Sequence, residues 1–171
     1  MSKKHMKLCE DALIESQKSQ IAFQHGALIT KGGKIITKGY NNSRSTYKRK
    51  HCLCMHSEMV VIVNWFKICC KDVKNENDLR RKGNKYTIYI IRNNKDFTDN
   101  IFSMSKPCIM CTKMIKKCNF KKIIYTTGDD EVIKIVKPNE LDESSAVTSC
   151  ADRLQLDVIK SSKHISKLIL N

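Results

Sequence analysis

Cys108 and Cys111 stand three residues apart in Pro-Cys-Ile-Met-Cys, and His56 and Glu58 stand two apart in His-Ser-Glu. Those residue types can hold a metal and move a proton. Residues three apart on a helix share a face, so both sulfurs can reach one point. A helix N-terminus carries partial positive charge, which lowers a thiol pKa and favours the thiolate. Pro107 marks such a start, because its missing N–H costs nothing there. Two thiolates make half of a Zn²⁺ site, which takes Cys sulfur and His nitrogen in tetrahedral geometry. A Cys-x-x-Cys alone reads equally well as a redox pair. His56 as a third ligand leaves the fourth position for water, the pattern of a catalytic site rather than a closed structural one. Zinc lowers the pKa of such a water to about 7, and Glu58 would carry the proton. Positions two apart point in nearly opposite directions on a regular helix. His56 and Glu58 can therefore converge only where the motif straddles an irregular first turn.

The elements that must place these residues can be read from pattern. Met6 to Gln20 reads as a surface helix, with apolar Leu8, Ala12 and Leu13. Gly26 to Asn41 reads as a hairpin around Lys31-Gly32-Gly33-Lys34, where a Gly-Gly pair suits the positive φ of a tight turn. Ser57 to Cys70 reads as a buried helix by its length. Residues 71–85 are charged and read as a surface insertion. Tyr86 to Arg92 and Lys121 to Tyr125 read as strands, and Val132 to Val136 as a further short strand. The stretch up to Ser105 is polar. Cys108 to Asn119 reads as a helix, as does Leu156 to Leu170. Alternating strands and helices indicate an α/β layered domain. The expected organisation is one domain over residues 1–138, carrying the N-terminal helix and the insertion, and a helical C-terminal extension over 139–171.

At 171 residues the chain can bury a core without staples. Nine cysteines cannot all pair within one chain, and the N-terminus lacks the apolar run of a signal peptide. A reducing intracellular setting, cytoplasmic or nuclear, is expected, where cysteines favour metal or catalysis over disulfides. The longest apolar run, Met59 to Val63, is too short to span a bilayer, so no membrane partner is expected. The net charge of +15 admits two readings. One is a basic face for nucleic acid. The other is AT-rich coding sequence, which produces Lys, Ile and Asn together without selection for binding; nucleic-acid surfaces usually favour Arg.

His-x-Glu followed by Pro-Cys-x-x-Cys matches the signature of zinc nucleobase deaminases. From about Ile21 to Val136 the chain resembles the cytidine and deoxycytidylate deaminase superfamily. HGALITKGGKIITKGYN is similar to the hairpin before that family's active-site helix. TIYIIR and SKPCIMCTKMIKKCNFKKIIYTT are similar to its strand, zinc helix and next strand. The resemblance implies a three-layer α/β/α fold with a mixed central sheet and one catalytic zinc on His56, Cys108 and Cys111. It implies Glu58 as acid/base, protonating the ring nitrogen and later the departing amine, while hydroxide attacks the amine-bearing carbon. It implies substrate contacts from Asn41 and from the backbone of Ala27, a small-molecule nucleotide or nucleoside substrate, and a homo-oligomer. Lys106 and Ser57 depart from the residues commonest at their positions in the family, and the gap containing 71–85 is longer than in compact members. That segment could form a lid, an oligomer contact or a decorated loop.

The first functional expectation is hydrolytic deamination of a cytosine nucleotide or nucleoside. The second is a polynucleotide deaminase acting on tRNA adenosine or single-stranded cytosine, favoured by the charge and opposed by Lys106. The third is a non-catalytic, zinc-stabilised binding domain, for which Glu58 would be dispensable. His51, Cys52 and Cys54 could hold a second, structural zinc, but a four-ligand set is not evident. Cys9, Cys69, Cys70, Cys118 and Cys150 read as small apolar residues, and Trp65 and Phe66 as core. Tyr40 and Tyr47 read as candidates for a base contact, and Arg44, Lys48, Arg49 and Lys50 as candidates for a phosphate. His5, His25 and His164 have no visible partner.

Overall fold

Gly32 and Gly33 take φ of 60° and 86°, and they close the tight turn between β1 (His25–Lys31) and β2 (Lys34–Tyr40). Positive φ at two successive positions is what glycine tolerates and other residues resist. The hairpin is the edge of a mixed sheet in a computed structural model that describes residues 2–43, 55–95, 101–129 and 132–142. The strand order is β2-β1-β3-β5-β6, with β3 Thr87–Asn93, β5 Lys122–Thr126 and β6 Ile133–Val136. β1 runs antiparallel to β2 and β3, β3 parallel to β5, and β6 antiparallel to β5. The short β4 (Phe102–Ser103) lies antiparallel to β3, inside the stretch that the sequence leaves as polar loop.

The period of two along each strand decides what each face meets. Ala27, Ile29, Ile88, Ile90, Ile123 and Tyr125 point to one side and join Met59, Trp65, Phe66, Leu79 and Ile115 in the larger core. Leu28, Tyr89, Ile91 and Ile124 point to the other side and meet Leu8, Cys9, Ala12 and Leu13. The second set belongs to α1 (Lys3–Ser16), and the first to α2 (Ser57–Cys69), α3 (Glu76–Gly83) and α4 (Ile109–Cys118). The fold is three layers: α1, the sheet, then α2 to α4. Trp65 and Phe66 are fully buried, in line with their reading as core.

Besides β4, two elements differ from the sequence reading. α1 begins at Lys3 and ends at Ser16 rather than spanning 6–20. Ser2 accepts the N–H of His5 as a cap, and the Ser16 hydroxyl bonds back to the Leu13 carbonyl where the chain turns toward β1. Residues 71–85 are not loop alone, because they carry α3. Asn75 caps it by accepting the Asp78 N–H at 2.9 Å, Leu79 is buried, and Gly83 packs so tightly that a Cβ would overlap the Cys118 carbonyl. α3 is thus the packing partner of α4. His5, given no role from sequence, pairs its Nδ1 with the Tyr89 hydroxyl at 2.7 Å and ties α1 to β3. The C-terminal extension beyond 142, and residues 44–54 with His51, Cys52, Cys54, Tyr47 and the basic loop, lie outside the described residues.

Candidate metal centre and active site

His56 and Cys108 are the N-caps of two different helices, α2 and α4, and both are extended, with ψ of 147° and 167°. The geometric demand of the His-Ser-Glu motif is therefore met. His56 stands outside the helix and Glu58 in its first turn, so the opposition of positions two apart in a regular helix does not apply. Cys111 lies in the first turn of α4 and is fully buried. The Cys108 and Cys111 sulfurs lie 3.4 and 3.6 Å from His56 Nδ1. The three potential ligand atoms all fall within 4.8 Å of one another.

These distances test the fit to zinc. A tetrahedral ion with Zn–S of about 2.3 Å and Zn–N of about 2.0–2.1 Å sets its sulfur and nitrogen ligands about 3.6 Å apart. The two measured separations agree with that edge. The donor set suits the ion as well. The Cys108 thiol is lowered to about 6, chiefly by a hydrogen bond from Cys111 and further by His56, against burial and the Glu58 charge. The site is therefore predisposed to the thiolate form that zinc requires.

Segment 103–107 is fixed from behind. The buried Ser105 hydroxyl donates to the Ile90 carbonyl at 2.6 Å and accepts the Thr126 N–H at 2.8 Å. It bridges the middle of β3 to the end of β5, two residues before Pro107. Thr112 then donates its hydroxyl to the Pro107 carbonyl at 3.3 Å. Nothing in the spacing of the ligands announced Ser105; its signal is a lone hydroxyl between a strand and a helix start.

A cavity of about 210 Å³ opens beside the ligands and is lined by Ile21, Phe23, His25, Asn41, His56, Ser57, Glu58, Lys106 and Cys108. Glu58 is only 4% exposed and accepts the Ser57 hydroxyl at 3.1 Å. Asn41 is buried at the wall. Its Oδ1 accepts the His25 N–H at 2.8 Å, and its Nδ2 donates to the Phe23 carbonyl at 2.7 Å. One amide side chain thereby shapes the segment that carries the apolar wall. Ala27 lies deeper in β1, paired with Gly39 and Ile90 in the core, and it is not among the lining residues. Tyr40 is not among them either.

His25 is the residue that sequence reasoning passed over. It lines the cavity, and burial holds its imidazole below the ordinary value, aided by Arg92 and His56 and opposed by Glu58. The signal was present: His25 is two residues before Ala27 in a strand, hence on the same face.

The family model for the cytidine and deoxycytidylate deaminase zinc-binding region matches residues 1–127. The chain belongs to this family. Among solved structures, it is similar to cytidine deaminase from Burkholderia pseudomallei, with 16% identity, a TM-score of 0.53, and coverage of 82% of this chain and 96% of that one. It also matches dCMP deaminase from the cyanophage S-TIM5 in apo form, at 20% identity and a TM-score of 0.49, covering 77% and 89%. At such identity the former likeness speaks for the fold alone. No curated protein sequence matches the chain. The deaminase carries a His/Cys/Cys group suited to zinc, and among its described residues no helix is long and apolar enough to cross a membrane.

Proposed function

We propose that this deaminase hydrolyses the exocyclic amine of a cytosine nucleotide or nucleoside in an intracellular compartment. The observation that carries this reading is the meeting of Glu58 with the His56 and Cys108 ligands in one small cavity. His56, Cys108 and Cys111 would hold one zinc ion. A zinc ion bound there would supply a water with a pKa of about 7. Glu58, nearly dry and on the cavity wall, would pass one proton of the attacking water to the ring nitrogen, then take the proton left on the added oxygen and pass it to the leaving amine. A C–N bond breaks, a carbonyl forms, and ammonia departs with the water consumed. Asn41 orients the substrate through the capacity its amide retains after bonding to the backbone of residues 23 and 25. Phe23 and Ile21 give the cavity an apolar side.

The cavity of about 210 Å³ lies below the roughly 300–1,000 Å³ usual for small-molecule pockets and suits a single base. The test is ammonia release by the zinc-loaded protein from cytidine, CMP, dCMP, single-stranded DNA and tRNA. Turnover of at least one monomeric cytosine substrate is expected. Reaction of polynucleotides alone would overturn this assignment.

A further inference from the structure

At the other end of α4 the surface changes character. The C-terminal ends of α3 and α4, the start of β5, the end of β6 and the 3-10 turn Pro138–Glu140 enclose an open groove of about 990 Å³. Along α4, the groove residue Lys116 stands five residues past Cys111, about 7.5 Å along the helix axis at 1.5 Å per residue. Among the described residues, Arg80, Lys116, Lys121, Lys122 and Lys137 line it against a single carboxylate, Glu140. Glu140 is engaged locally, accepting the Lys137 N–H at 2.8 Å.

The arrangement is not the general basicity of the chain. On α3, the two residues after Arg80 are both ion-paired, Arg81 to Asp78 at 3.0 Å and Lys82 to Asp72. Arg80, Lys121, Lys122 and Lys137 are exposed, and among the described residues none has a carboxylate within ion-pair range. Two helix C-termini at the groove work against an anion, each with about half a negative charge. The four exposed cations Arg80, Lys121, Lys122 and Lys137 outweigh them against the one carboxylate among the described lining residues. Ile135 lines the same groove at 43% exposure and offers an apolar contact beside the charges.

We propose that this groove is a second binding site, separate from the cavity, for single-stranded nucleic acid held by its phosphates. Cations spread over α3, β5 and the segment after β6 match a chain of phosphates better than one isolated phosphate, and the apolar side chain suits a sugar or base face. A duplex reader would present a protruding helix or ribbon to a major groove, and this surface is concave.

The test is fluorescence anisotropy of single-stranded DNA and RNA of about 20 nucleotides with the full, zinc-loaded chain across a salt series. Four phosphate contacts give a slope of log K against log salt of about −2.8. Lys121→Glu with Lys137→Glu should weaken binding at least about tenfold and reduce that slope by about 1.4, with deamination of a monomeric substrate unchanged. Lys7→Glu with Lys34→Glu, on exposed positions away from the groove, should leave most of the affinity. Equal weakening by both pairs would assign binding to net charge and overturn the proposal. So would no binding by the unaltered chain, or equally tight, groove-dependent binding of phosphatidylserine vesicles.

Discussion

The two ends of α4 carry the same residue type in opposite states. At its start, Cys108 is lowered to about 6 by hydrogen bonds from Cys111 and His56. At its finish, Cys118 is fully buried, and burial pushes its thiol well above the ordinary value. One helix thus holds a ligand and an inert packing group ten residues apart. Chemistry here is set by which helix end a sulfur occupies and what meets it, and very little by its being cysteine. Cys9 and Cys70 side with Cys118: both are buried, and burial raises each to about 12.

The comparison breaks most visibly through the metal. Cys108→Ser or Cys111→Ser should lower zinc affinity by more than about 100-fold, since even partners that only orient ligands are worth 10–100-fold. Cys118→Ser should leave zinc content unchanged. Metal analysis after dialysis checks both.

A smaller but sharper contrast lies in thiol reactivity. In the metal-free protein, alkylation of Cys108 should rise with pH around a midpoint near 6, while Cys118 stays protected until unfolding. The same shift has a signed effect on stability. The Cys108 thiol is depressed on folding, so its contribution is complete above the unfolded value of 9.0 and is lost as pH falls through about 6. Metal-free protein should therefore become easier to denature with urea on acidification from pH 9 to pH 6. A flat midpoint across that window would contradict the assignment.

Cys118→Ser should cost about 1–3 kcal/mol in chemical denaturation, because it places a hydroxyl in an apolar site with no partner provided. Ser105→Ala should cost about 1–2 kcal/mol, by leaving the Thr126 N–H and Ile90 carbonyl short of a partner. Its effect on zinc affinity should be small but measurable, as the removed bonds position the approach to Cys108.

Much of this was legible in the chain. Gly32-Gly33 announced the hairpin, Pro107 announced the start of α4, and the four residues of the two motifs converge as their types suggested. α3 was hidden because ENDLRRKG holds one buried apolar side chain, Leu79, and so shows no periodicity. β4 was hidden because two residues carry no alternation. His25 and Ser105 were hidden for another reason. Local pattern puts His25 on the face of Ala27 and Ser105 ahead of a helix start, but their roles depend on tertiary neighbours, the cavity and the β3–β5 junction.

The central claim is that a zinc-binding group and Glu58 together perform hydrolytic deamination. It is tested most directly by measuring zinc content and ammonia release from cytidine, CMP and dCMP for the unaltered chain and for Glu58→Gln. The expected result is one zinc per chain in both proteins, with turnover in the first and a loss of at least about 10²–10⁴-fold in the second. Unchanged turnover in Glu58→Gln, or zinc-loaded protein that releases no ammonia from any cytosine substrate, would contradict it.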